Sequence, residues 1–155
     1  MSWWEPTPGL KWFGAARPDM YRILLPVDDD ETRAQRQAGF VTELPVDPAE
    51  THVTVTHALD AEERGAPTEV QDPRRIRTVK IAVEALEDAG IETSVRETAN
   101  PPAEGIVRLA EEIDADQIVM GGRKRSPAGK ALFGSVTQSV LLDTDRAVTV
   151  TGGDD

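Results

Sequence analysis

Four basic residues, Arg123, Lys124, Arg125 and Lys130, fall within eight positions of one another, and no acid occurs between Gly121 and Leu142. Glycines frame the group, with Gly121-Gly122 on one side, Gly129 within it and Gly134-Ser135 on the other. This mixture suits an anion, a phosphate above all. Glycine lets the main chain come close to a ligand, and the first N–H groups of a helix carry partial positive charge. The chain has a formal net charge of −11, yet screening decides which charges a ligand feels. With a Debye length of about 10 Å at 0.1 M salt, the local bases outweigh the distant acids.

Bond-making chemistry is harder to assemble. The absence of cysteine excludes disulfides and thiolate metal sites. His52 and His57 fall in one expected strand, and their odd separation sends them to opposite faces, poor geometry for a shared zinc ion. Ser135 lies beside the basic loop, but no histidine neighbours it in sequence to act as its base. Its hydroxyl has an equally simple use in holding the turn. Neither a Gly-x4-Gly-Lys-Ser/Thr loop nor a kinase loop occurs. The residues speak for holding a ligand; no general acid–base pair, metal cluster or activated nucleophile is evident.

Apolar periodicity predicts the elements that position the loop. Tyr21–Val27 reads as a buried strand, followed by Asp28-Asp29-Asp30-Glu31, acids suited to a helix start. Thr32–Leu44 is a helix with Ala34, Ala38, Val41 and Leu44 on one face. His52–Ala58 is a strand, and Asp60–Pro73 a polar loop. A helix over Arg74–Ala89 stops at Gly90, and Ile91–Thr98 alternates as a third strand. Asn100-Pro101-Pro102 serves as cap and proline start for a helix whose stripe is Ile106, Leu109, Ala110 and Ile113. Ile118–Met120 is the strand that feeds the glycine loop. The last helix presents Phe133, Val136, Val140 and Leu141 as its apolar face, Arg146–Thr151 is a final strand, and residues 152–155 fray. Strands alternating with helices predict one α/β domain, an open parallel five-stranded sheet with helices on both faces and right-handed crossovers. Such sheets bind ligands beyond the carboxyl ends of their strands, where the strand order switches. Asp28, Ala58 and Gly121 all stand at predicted strand ends.

At Gly121, Gly134 and Ser135 the chain resembles the universal stress protein family. That family's ATP-binding loop reads Gly-x2-Gly-x9-Gly-Ser/Thr between the fourth strand and the last helix; Lys124 stands here in place of the second glycine. Pro26-Val27-Asp28 is similar to the family's Pro-x-Asp at the end of the first strand. Asp29-Asp30 replace the small pair that usually follows and add negative charge near the expected ligand. His57-Ala58-Leu59-Asp60 is similar to the end of the second strand, with Ala58 in the adenine-facing position.

The resemblance runs from about Tyr21 to Thr151. It implies a Rossmann-like, adenine nucleotide alpha-hydrolase-like fold and a regulatory protein that binds ATP or AMP, with at most slow ATP hydrolysis. The first strand would contribute Pro26, Val27 and Asp28, and the second Ala58. The fourth strand and its loop would contribute Met120, Gly121, Gly122 and Lys124, and the last helix Gly134, Ser135 and Val136. Asp28 is the first candidate ligand for any Mg²⁺ that accompanies the nucleotide. It has two readings, helix cap and ligand contact, and one residue can serve both. The terminal strand Arg146–Thr151 invites antiparallel pairing with a second copy, and the family commonly dimerises there. The competing reading is a dimeric interaction module of the same fold that binds no nucleotide.

Length and composition bound the rest. At 155 residues the chain fits one domain. No run of ~18 apolar residues occurs, and Glu5, Pro6, Pro8 and Lys11 interrupt any signal-peptide core, so a cytoplasmic protein is expected. So acidic a chain is ill suited to general nucleic-acid binding. Lysine is scarce, four Lys against thirteen Arg beside 28 acids, a balance that fits a salt-rich cytoplasm. Residues 1–20 form an arm carrying Trp3, Trp4, Trp12 and Phe13 among prolines and glycines. Either its aromatics cover an apolar groove of this domain or a sister subunit, or the arm docks another protein.

Overall fold

The alternating pattern of Tyr21–Val27 places Ile23, Leu25 and Val27 on one face of a strand and Leu24 on the other, and all four are buried. This strand, β1, is the centre of the fold. The computed structural model describes residues 20–59, 72–122 and 133–152. The aromatic arm before Met20, the polar loop 60–71, the basic loop with Lys124, and the last three residues lie outside the described residues.

The elements follow in the order β1 (Tyr21–Val27), α1 (Glu31–Thr42), β2 (Thr51–His57), α2 (Arg77–Asp88), β3 (Glu92–Val95), α3 (Pro102–Glu112), β4 (Gln117–Gly121), α4 (Ser135–Asp143) and β5 (Ala147–Thr151). All neighbouring strands pair in parallel, in the order β3-β2-β1-β4-β5. One face of the sheet packs on α1 and α2 through Ile23, Leu25, Val53, Val55, Ala38, Val79 and Leu86. The other packs on α3 and α4 through Leu24, Ile118, Met120, Ile106, Leu109 and Val140. The expected α/β sheet with helices on both faces is therefore present.

Local details depart from expectation where caps and edges decide. Asp30, rather than Asp28, caps α1, its carboxylate accepting the N–H of Arg33 at 2.9 Å. The helix expected over Arg74–Ala89 begins as a single 3-10 turn, Pro73–Arg75, which Asp72 caps. The chain is extended at Ile76, which packs against the core, and α2 starts only at Arg77. Gly90 ends α2 as predicted, with φ +82°, a conformation that glycine adopts without steric penalty. The third strand is shorter than its alternation suggested, since β3 is an edge that among the described strands pairs with β2 alone. Pro101, not Asn100, occupies the cap position of α3. In α4 the buried residues are Thr137 and Val140, while Phe133 and Leu141 are exposed.

Candidate functional site

The strand order turns between β1 and β4. Their pairing covers only Ile23 with Gln117 and Leu24 with Ile118, after which the strands part. The carbonyls at their diverging ends need donors, and Gln37 of α1 supplies them. Its side-chain amide donates to Pro26 O at 2.7 Å and to Val119 O at 3.2 Å, in full burial. One helix side chain thus holds open the crevice where a parallel sheet offers its strand ends to a ligand.

Above this staple lies a cleft of about 390 Å³, counting its opening to solvent. It is lined by Pro26 and Asp28 after β1, Ala58 after β2, Met120 and Gly121 of β4, and Gly134, Val136 and Thr137 at the start of α4, with Ile106 of α3 as an apolar wall. Seven of the residues expected from the sequence therefore meet in one place. Val27 does not; it points into the core against α1 and α2. Gly122 lies just outside the lining, its carbonyl accepting Arg33 Nε at 3.3 Å. Ser135 is exposed on the first turn of α4, and Lys124 lies outside the described residues. Among the described residues no side chain caps α4, and the first N–H groups of a helix suit an anionic ligand.

The acids after β1 are all engaged. Asp28 pairs with Arg33 through Oδ2 and accepts the N–H of Asp30 at 3.0 Å through Oδ1. The Thr78 hydroxyl of α2 pins the Asp28 carbonyl. Asp29 meets His57 Nε2 at 2.8 Å, and Asp30 lies 3.6 Å from Arg33. The negative charge that Asp29 and Asp30 seemed to bring to the ligand is thus drawn into pairs and a cap. The same pairing bears on a metal. Both Asp28 oxygens already serve other donors, and among the described residues no group of three or more His, Asp or Glu side chains is placed to hold a cation.

Arg33, Gln37, Ile106 and Thr137 were not expected at the site from the sequence. A signal existed for Gln37. It stands in the apolar stripe of α1 with Ala34, Ala38 and Val41, and a polar residue on a buried face is informative. Arg33 lies four positions earlier on the same face.

Residues 20–152 match the sequence model of the universal stress protein family. The chain belongs to the universal stress protein family. A universal stress protein of Mycolicibacterium smegmatis is 38% identical over 64 residues, 41% of this chain and 49% of that protein. The chain thus aligns with about half the length of that relative. Among solved structures, a universal stress protein from Archaeoglobus fulgidus superposes with a TM-score of 0.68 at 30% identity, covering 85% of this chain and 98% of the other. The A. fulgidus universal stress protein in complex with dAMP gives 0.61 at 26% identity, over 86% and 99% of the two chains. The universal stress protein fold and its strand order account for the crevice between β1 and β4. Among the described residues, no helix is long and apolar enough to cross a membrane.

Proposed function

We propose that this universal stress protein binds an adenine nucleotide, ATP or AMP, in the cleft beyond the carboxyl ends of β1, β2 and β4, and acts as a nucleotide-responsive regulator. The observation that carries this reading is the convergence of three separate segments, Pro26–Asp28, Ala58 and Gly121, on the uncapped start of α4. The dAMP complex of the A. fulgidus relative supports it. Ala58 bears on the choice of base. Its N–H is given to Val27 O at 2.9 Å, so the group it can turn to a base is its carbonyl. An acceptor there suits the 6-amino group of adenine and disfavours the 6-keto oxygen of guanine. Ile106 and Met120 supply the apolar surface that a flat ring needs. The phosphates then run towards the first N–H groups of α4 and the basic loop.

We read the outer edge of β5, which among the described strands pairs with β4 alone, as the contact for a second copy. Leu142, 84% exposed one turn before that strand, and Leu141 add apolar surface beside it. Leu142→Glu is expected to shift a homodimer towards monomer in sedimentation while the circular dichroism spectrum of the fold is retained.

Calorimetric titration with ATP, AMP and GMP, in low and in high salt, tests the nucleotide reading. Ligand at about 100 times its dissociation constant adds about 2.7 kcal/mol to stability, a clear thermal shift. Adenine nucleotides are expected to bind and GMP to bind more weakly. Absence of heat and of any shift at millimolar nucleotide would favour the interaction module that binds no nucleotide.

A further inference from the structure

The opposite end of the sheet carries a second constellation. His52 is the second residue of β2, and β3 sets Glu92 beside it and Ser94 beside Thr54. His52 Nδ1 lies 3.1 Å from Glu92 Oε1, and His52 Nε2 lies 2.7 Å from Ser94 Oγ. An ionised carboxylate can only accept a hydrogen bond. In the neutral ring it therefore assigns the proton to Nδ1 and the lone pair to Nε2, which leaves the Ser94 hydroxyl as the donor. Serine to Nε2, and Nδ1 to carboxylate, is the order of contacts by which a histidine base activates a hydroxyl nucleophile.

We propose that Ser94 is an activated nucleophile, with His52 as its general base and Glu92 as the group that orients the ring. As Ser94 Oγ attacks an acyl carbon, its proton passes to Nε2 and the O–C bond forms. The bond from carbon to the leaving group breaks, the leaving group departs with the electron pair, and Nε2 gives up its proton to it or to solvent. Water, deprotonated by the same nitrogen, then attacks the acyl carbon; the Ser94 Oγ–C bond breaks, the acid leaves, and Nε2 returns the proton to Oγ. The surroundings set the substrate class. His52 and Ser94 are half-buried and Glu92 is 73% exposed on an edge strand. The cleft that Ile106 and Gly121 line does not reach them, and none of the described contacts places a pair of main-chain donors to hold an oxyanion. The base alone contributes about 10²–10⁴-fold, enough for small acyl donors with good leaving groups, such as aryl esters or acyl phosphates, and not for amides. Six residue steps along the strand take His52 to Ala58, about 20 Å, so this chemistry is independent of nucleotide binding.

The test is incubation of the full chain with p-nitrophenyl acetate, following nitrophenolate release and locating the acetyl group by peptide mass spectrometry. The expected result is one acetyl on Ser94, formed at least tenfold faster than in His52→Gln, with slow turnover after the first equivalent. The glutamine in His52→Gln still hydrogen-bonds Ser94 but cannot take its proton. Ser94→Ala should remove the labelled peptide. Glu92→Gln should slow labelling several-fold, and this exposed substitution decides the matter if His52→Gln proves unfolded by circular dichroism. Acetylation confined to lysines and the chain terminus, or Ser94 labelling at equal rates in wild type and a folded His52→Gln or Glu92→Gln, would overturn the proposal. The three side chains would then serve only to bind β3 to β2.

Discussion

The side chain of Arg33 lies against Gly121. A Cβ built on that glycine would stand 2.6 Å from Arg33 Cδ and 2.7 Å from Cγ, with Gln37 Oε1 at 2.9 Å. The arginine cannot simply swing away, because its guanidinium is held by Asp28 and by the Gly122 carbonyl. Gly121 is thus required by close approach.

It follows that Gly121→Ala should destabilise the fold by about 1–3 kcal/mol, as overpacking of a filled site does. Arg33→Ala alone should also destabilise, because it leaves Asp28 without its cation. The double variant should lose less than the sum of the two, since of the three close atoms the alanine methyl then meets only Gln37 Oε1. Urea unfolding of the four proteins measures the coupling. Strict additivity would show that Arg33 does not rest on Gly121.

Gln37 makes a second prediction. Gln37→Leu keeps the volume but leaves Pro26 O and Val119 O without their donor. Leaving buried acceptors unpaired costs about 1–3 kcal/mol. Nucleotide affinity should fall with stability, because the two strand ends that line the cleft lose their common tie. Unchanged stability by urea titration would mean that the crevice needs no staple.

Lys124 replaces a family glycine, and its ammonium is expected to supply a charge to the phosphate tail. Charge-assisted hydrogen bonds contribute roughly 1.5–3 kcal/mol, about tenfold in affinity for each 1.4 kcal/mol. Lys124→Glu should weaken ATP more than AMP, because the longer tail reaches further along the basic loop, and Lys124→Gly should be milder. Equal affinities across all three proteins would assign the basic cluster to protein docking instead.

Asp114 gives a pH-dependent expectation. It ends α3 with φ +54°, and the hydrogen bond from Arg146 Nη1 at 2.8 Å, with the charges of Arg146 and Arg22, holds its carboxyl below the usual range. Burial opposes that shift without reversing it. A carboxyl with a lowered folded-state value contributes stability that is fully present above its unfolded value. The contribution is lost as pH falls through the folded value. The side chain is 78% exposed, so the contribution stays under about 1 kcal/mol. Asp114→Asn, which tolerates the left-handed backbone, should lower the urea midpoint slightly at about pH 7 and by less at about pH 2, as the pH falls towards the folded value. An equal deficit at both would assign the effect to the backbone.

The sequence by itself determined the elements and the end of the sheet at which they meet. Burial of one face is a local demand, so the runs Tyr21–Val27 and Ile118–Met120 and the helical stripes announced the fold, while the resemblance carried by Gly121 and Gly134-Ser135 implied seven of the cleft residues. Boundaries were less legible where a cap or an edge competed with periodicity, as at Asp30, Ile76 and β3. Only the tertiary structure decided which side chains answer one another. Arg33 reaches Gly122 across 89 positions, Gln37 reaches Val119 across 82, and His52 meets Glu92 across 40. Those partners depend on strand order and register, and both are set by crossovers and by packing on two faces of the sheet. A pattern confined to one strand or one helix does not record them. For that reason His52, a polar strand residue with no assignable base or metal role in the sequence, acquires a carboxylate and a hydroxyl only when β3 is laid beside β2.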